Sequence, residues 1–124
     1  MASASKTDAK GPMLLGVSLR PLDTDWPAMR EAALLVDELG FDWPLTSDHL
    51  VASDDHELVP DGAIFESWEL LVAWAAITQR VRIGVMVSGV MLRHPALLAK
   101  MAITLDHVSG GRAICGIGAG WVHH

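Results

Sequence analysis

Apolar positions along this chain fall into two kinds of run. Short, nearly continuous runs stand at Met13–Ser18, Phe41–Ser47, Val81–Val87 and Arg112–Ile117. Between them apolar residues recur every three to four positions, the spacing of one helix face. Met29, Ala32, Ala33, Val36 and Leu39 outline a first helix, with Thr24-Asp25 as its cap, Pro27 in its first turn and Gly40 as its stop. Trp68, Leu71, Val72, Ala75 and Ala76 outline a second, from about Glu66 to Thr78. Leu97, Leu98, Met101, Leu105 and Val108 form the inner stripe of a third, which opens on Pro95 and ends at Gly110-Gly111. Ser88-Gly89 reads as the break after the third strand.

The order is strand, helix, strand, helix, strand, helix, strand. Such alternation predicts parallel strands joined by right-handed crossovers. The continuous apolar character of Val81–Val87 fits a strand covered on both faces. Two α/β architectures remain open: a doubly wound sheet, or the first four βα units of a (β/α)8 TIM barrel, which when complete takes about 250 residues. Pro44 sits awkwardly in the second strand, because proline cannot donate to the ladder. A long loop over Val51–Ile64 carries Asp54, Asp55, Asp61 and Gly62. Residues 1–12, rich in Ser, Ala and Lys, read as a flexible tail, and residues 13–124 as one unit.

Composition narrows the function classes. The chain has 124 residues, 51% hydrophobic and 19% charged, a globular balance. A net charge of −6, with scattered basic residues, argues against nucleic acid or an anionic membrane as partner. No apolar run approaches a membrane span, and the first residues lack a secretory leader's apolar stretch. A soluble cytoplasmic protein is the resulting expectation. Cys115 is the one cysteine; lying in an apolar run, it is expected to be a buried structural thiol.

In either architecture ligands gather at the carboxyl ends of the strands. Those ends are Ser18–Arg20, Ser47–His49, Val87–Gly89 and Gly116–Trp121. His49 there can hydrogen-bond a ring carbonyl or exchange a proton near neutral pH. Asp48 and His49 can equally brace their loop. Gly116, Gly118 and Gly120 spell GxGxG, which lets backbone approach a flat ring or phosphate, or simply makes a sharp turn. The spacing does not match the dinucleotide fingerprint GxGxxG. His56, His94, His107, His123 and His124 form no metal-ligand spacing, so no metal site is expected.

These residues together resemble the luciferase-like monooxygenase family, above all its coenzyme F420-dependent oxidoreductases. ELGFDW followed by SDHL (Glu38–Trp43, Ser47–Leu50), FESWELLVAWAAITQRVRIGVMV (Phe65–Val87) and RHPALLAKMAITLDHVSGGRAICGIGAGW (Arg93–Trp121) carry the likeness. The resemblance implies a (β/α)8 barrel binding F420, or alternatively FMN, at the strand carboxyl ends. It places Asp48 and His49 beside the ring, with His49 in proton or hydride chemistry. It also implies a bulge over Met86, Val87 and Ser88 behind the ring, with a non-prolyl cis peptide near Met86–Val87. Gly116, Gly118 and Gly120 would line the barrel mouth. The implied activity is hydride transfer to, or monooxygenation of, a small organic substrate. Trp121 stands where sugar-phosphate dehydrogenases of this family carry an acidic residue, which disfavours that substrate class. Family members continue through further βα units, so a non-catalytic half-barrel needing a partner half, or a homo-oligomer that closes the barrel, is the competing expectation.

Overall fold

A computed structural model describes residues 13–54, 57–58 and 63–120. The tail expected at residues 1–12 lies outside that range, as do Asp55, His56, Asp61, Gly62, Trp121, His123 and His124. The elements run β1 (Gly16–Ser18), α1 (Trp26–Glu38), β2 (Trp43–Thr46), β3 (Ser53–Asp54), β4 (Glu57–Leu58), α2 (Ser67–Ile77), β5 (Ile83–Gly89), α3 (Pro95–Ser109) and β6 (Ala113–Gly118).

β1, β2, β5 and β6 form one parallel sheet in that spatial order. A doubly wound sheet reverses its strand order at a switch point. Here each strand simply follows its predecessor, and residues of all three helices join one cluster against the sheet. The architecture is part of a (β/α)8 barrel. β3 and β4 make a small antiparallel ladder inside the long loop. The loop then returns along the segment after β1, through the Leu22–Ile64 bridge and the bonds from Asp23 N to Ala63 O and from Phe65 N to Pro21 O.

Caps form where the sequence places them. Asp25 accepts from Ala28 N at 2.9 Å to open α1. His94 Nδ1 accepts from Ala96 N ahead of Pro95. Gly110 and Gly111 both take left-handed φ (68° and 87°) and return their N–H groups to the last carbonyls of α3. The core centres on α2. Trp68, Leu71 and Trp74 are fully buried against Ile83 and Val85 of β5, Met29, Ala33 and Val36 of α1, and Leu98 and Leu105 of α3. Each such aromatic removes roughly 150–250 Å² from water, worth about 4–6 kcal/mol at 25 cal/mol/Å².

The amino ends of the strands are tied by two side chains. Asp37, in the last turn of α1, accepts from Gln79 N, Arg80 N and Val81 N at 2.8, 3.0 and 2.9 Å. Arg112, just before β6, donates to Ala75 O, Thr78 O, Thr78 Oγ1, Val81 O and Ser109 O. It thereby satisfies carbonyls that the end of α2 leaves without helical partners.

Several expectations change. β1 is shorter than Met13–Ser18: residues 13–15 are exposed, and Leu15 is held by Asp42, its N–H donating to Oδ2 at 2.6 Å. Pro44 does lie within β2. The β2–β5 ladder holds only Leu45↔Gly84 and Thr46↔Val85, so it starts one residue beyond the proline. Leu39, which caps α1 one residue past its end, is exposed, as are Ala76, Leu97 and Val108. Cys115 is exposed rather than buried. It sits on β6, the last strand of the sheet, where α3 covers the Ala113 end. Among the described residues no helix is long and apolar enough to cross a membrane.

The Asp37 brace carries a pH signature. Burial pushes its carboxyl up, but the backbone donors Gln79, Val81 and Arg80 and the Arg80 charge outweigh burial and hold it below the ordinary 3.8. A depressed folded-state carboxyl stabilises the fold fully above its unfolded value. That contribution is lost as pH falls through the folded value. Urea midpoints measured from pH 6 down to pH 2 are expected to fall on acidification, and Asp37→Asn should lower stability at pH 6 while flattening the decline below about pH 4. An unchanged acid limb in the variant would refute the assignment.

Candidate functional site

The carboxyl ends of β2, β5 and β6 lie side by side. Along β5–β6 the register runs Val85↔Cys115 and then Ser88↔Ile117. Met86 and Val87 therefore stand opposite the single residue Gly116, a β-bulge. The Met86–Val87 peptide is cis. Beyond the bulge β5 continues through Gly89, so Ser88-Gly89 does not break the strand as the sequence suggests. A polar residue followed by glycine reads as a stop, whereas here both are buried in the sheet.

The glycines of β6 explain how the bulge is seated. A Cβ on Gly118 would lie 2.3 Å from Val87 Cγ2, and one on Gly116 would lie 2.7 Å from Val85 O and 3.2 Å from Val87 Cγ1. Val87 thus fills the notches that two missing side chains leave. Met86 and Val87 nevertheless remain 58% and 45% exposed, between the buried Val85 and Ser88. Gly120 has left-handed φ (79°), with Met91 Sδ 3.5 Å from where its Cβ would be.

Behind this apolar surface lies a buried polar network. Asp48, 4% exposed, accepts from Ser88 Oγ at 2.6 Å and Arg93 Nη1 at 2.5 Å on Oδ2, and from Arg93 Nη2 at 2.9 Å on Oδ1. Ser88 Oγ in turn accepts from Trp68 Nε1 at 3.2 Å. Arg93 Nη2 also pairs with Glu66 Oε1, while Glu66 Oε2 caps α2 by accepting from Glu69 N at 2.8 Å. Beside it Ser67 Oγ donates to Ser47 O at 2.5 Å. Burial draws the Arg93 guanidinium down, yet hydrogen bonds and charge from Asp48 and Glu66 outweigh it and hold Arg93 above the ordinary arginine value. Desolvating paired charges costs about as much as their attraction returns, so such a network contributes geometry more than net stability.

The candidate residues thus separate into two groups. The Asp48 and Ser88 side chains point into the network and are fully engaged there. Met86 and Val87 form the exposed surface, and Gly116 and Gly118 support it from the neighbouring strand. His49 follows Asp48 directly and is half-buried. Arg93, Glu66 and Trp68 belong to the site's support and were not singled out from sequence. One signal was available for Arg93: it stands just before the N-cap of α3, where the helix dipole disfavours a cation unless an anion answers it. Among the described residues no group of three His, Cys, Asp or Glu side chains comes together to hold a metal. The Ser88–Asp48 hydrogen bond brings the exposed bulge and the segment that carries half-buried His49 to the same end of the sheet.

The chain matches the family model for luciferase-like monooxygenase over residues 5–124. It is 45% identical over 53 residues to a putative coenzyme F420-dependent oxidoreductase of Mycobacterium tuberculosis, covering 43% of this chain and 15% of that protein. The coenzyme F420-dependent tetrahydromethanopterin reductase of Methanopyrus kandleri superposes with a TM-score of 0.73 at 26% identity, over 89% of this chain and 28% of that one. The oxygenating constituent of 3,6-diketocamphane monooxygenase of Pseudomonas putida, solved in complex with FMN, superposes at 0.68 with 28% identity, over 89% of this chain and 30% of that one. The chain therefore spans less than a third of each of these relatives.

The seating of Val87 is testable by a mutant cycle. Gly118→Ala is expected to destabilise by about 1–3 kcal/mol, since β-branched Val87 has little rotamer freedom with which to yield. Val87→Ala should relieve most of that cost in the double variant, a coupling of about 1 kcal/mol or more by denaturant unfolding. It should relieve Gly116→Ala much less, because that Cβ meets backbone oxygen first. Additive behaviour at position 118 would show that Val87 does not occupy the notch.

Proposed function

Because the chain belongs to the luciferase-like monooxygenase family, we propose that its strand carboxyl ends bind the ring of F420, with FMN as the alternative, for oxidation or reduction of a small organic substrate. The observation that carries this reading is the exposed Met86–Val87 bulge, seated on Gly116 and Gly118 beside the Asp48-His49 segment. It offers an exposed apolar surface for a ring face, and His49, on the segment tied to it through Asp48 and Ser88, is the group the reading sets at the ring's polar edge. The relatives named above include both F420-dependent and FMN-binding enzymes.

When bound, F420 supplies hydride transfer and FMN supplies hydride transfer or oxygen chemistry. The protein's part is to hold, orient and desolvate. Met86 and Val87 would back one ring face and exclude water from it. His49 is the proposed catalytic residue: an imidazole nitrogen would donate a hydrogen bond at the ring's polar edge and hold or release a proton there. Gly116, Gly118 and Gly120 would keep the mouth open to the ring. Asp48 and Ser88 would act from behind, through the backbone they fix. Ring binding is the part of the activity that these residues carry themselves.

Fluorescence titration of the purified chain with F420, and separately with FMN, tests this. Saturable binding of one is expected, with His49→Ala weakening it about tenfold, the loss of one hydrogen bond to a partly buried group. A folded chain that binds neither would overturn the reading and favour the half-barrel that needs a partner half. That alternative draws on β1 and β6, each of which, among the described residues, pairs on one side only.

A further inference from the structure

We propose that Arg93 is a positioning residue that couples the two segments bearing the ring-facing groups, making the Asp48-His49 loop and the Met86–Val87 bulge one mechanical unit. The inference rests on the functional reading above only for what the unit positions.

A buried carboxylate needs donors on both oxygens. On Asp48 Oδ1 is served by Arg93 and Oδ2 by Arg93 together with Ser88. Asp48 immediately precedes His49 in the loop after β2. Ser88 immediately follows Val87 in β5. The carboxylate therefore joins the backbone next to the histidine to the backbone next to the bulge. The Ser88 hydroxyl is held from its other side by Trp68 Nε1, whose ring is itself locked in the core. Arg93 fixes the rotation of the carboxylate by binding it through both terminal nitrogens, and the contact to Glu66 fixes Arg93. A lysine at this position would keep the charge and lose the fork. None of Asp48, Ser88 or Trp68 is exposed, so the network reaches a ring only through the groups it holds.

Hydrogen exchange by mass spectrometry on the whole chain, without ligand, tests the coupling directly. Arg93→Met is expected to speed exchange about tenfold in the two segments together, residues 47–50 and 86–90, while helix α1 keeps its wild-type protection. The 15N resonances of the His49 imidazole should shift in Arg93→Met, and Arg93→Lys should recover them only in part. Ser88→Ala removes one hydroxyl and leaves the ion pair, so it serves if Arg93→Met does not fold. It should loosen the same two segments by a smaller factor. Loosening of one segment without the other, wild-type exchange in both variants, or an unmoved His49 spectrum would each overturn the proposal. Parallel titration with F420 and FMN separates the two claims. If neither binds wild type, the ring-binding reading fails, and exchange still decides whether Arg93 couples the segments. If one binds, Arg93→Met should weaken it about tenfold.

Discussion

One buried anion organises the carboxyl ends of this sheet. Asp48 lies where water cannot reach it, so its charge must be answered by protein donors. Those donors come from sequence positions 40 and 45 residues away, on β5 and at the entry to α3. Answering the charge draws four pieces of chain together: the loop after β2, the end of β5, the cap of α2 and the approach to α3. The apolar core sets which helices pack on the sheet. The carboxylate sets where the strand ends stop relative to one another, to within hydrogen-bond tolerance.

Much of the fold was legible in local pattern, for a physical reason. Strand and helix periods are short-range properties, and caps such as Asp25, Pro95 and Gly110 act within one turn. What sequence left open was whatever depends on distant residues. The choice between doubly wound sheet and barrel rests on strand order, which no local period encodes. Strand ends drifted where a hydrogen bond, not hydrophobicity, decides them. Leu14 and Leu15 are apolar yet precede β1, and Ser88-Gly89 looks like a stop yet belongs to β5. The exposure of Cys115 follows from its strand's place in the sheet, which its apolar neighbours do not reveal.

The candidate site was legible in part. Residue chemistry left Asp48-His49 between a cofactor contact and a loop brace. The structure places the Asp48 side chain in a brace and leaves His49 half-buried beside it. The bulge was implied by family resemblance alone, because Met86-Val87 continues an apolar run without interruption. The glycine pattern is open between closeness to a ligand and a sharp turn; against Gly116 and Gly118 stands Val87, and against Gly120 stands Met91. Arg93 escaped notice because its partners lie 45 and 27 residues upstream.

The ties at the amino ends of the strands have a consequence for how such a protein changes over time. Asp37 and Arg112 anchor the helix ends to the sheet on the side away from the strand carboxyl termini, chiefly through backbone groups. Backbone partners persist whatever side chains a lineage acquires. At the opposite rim the contacts of Asp48, Ser88, Arg93 and Trp68 run from side chain to side chain. Substitutions among the rim's exposed residues leave the ties at the base intact, whereas Asp48 and Arg93 can change only together. The two ends of the sheet can therefore change independently of one another.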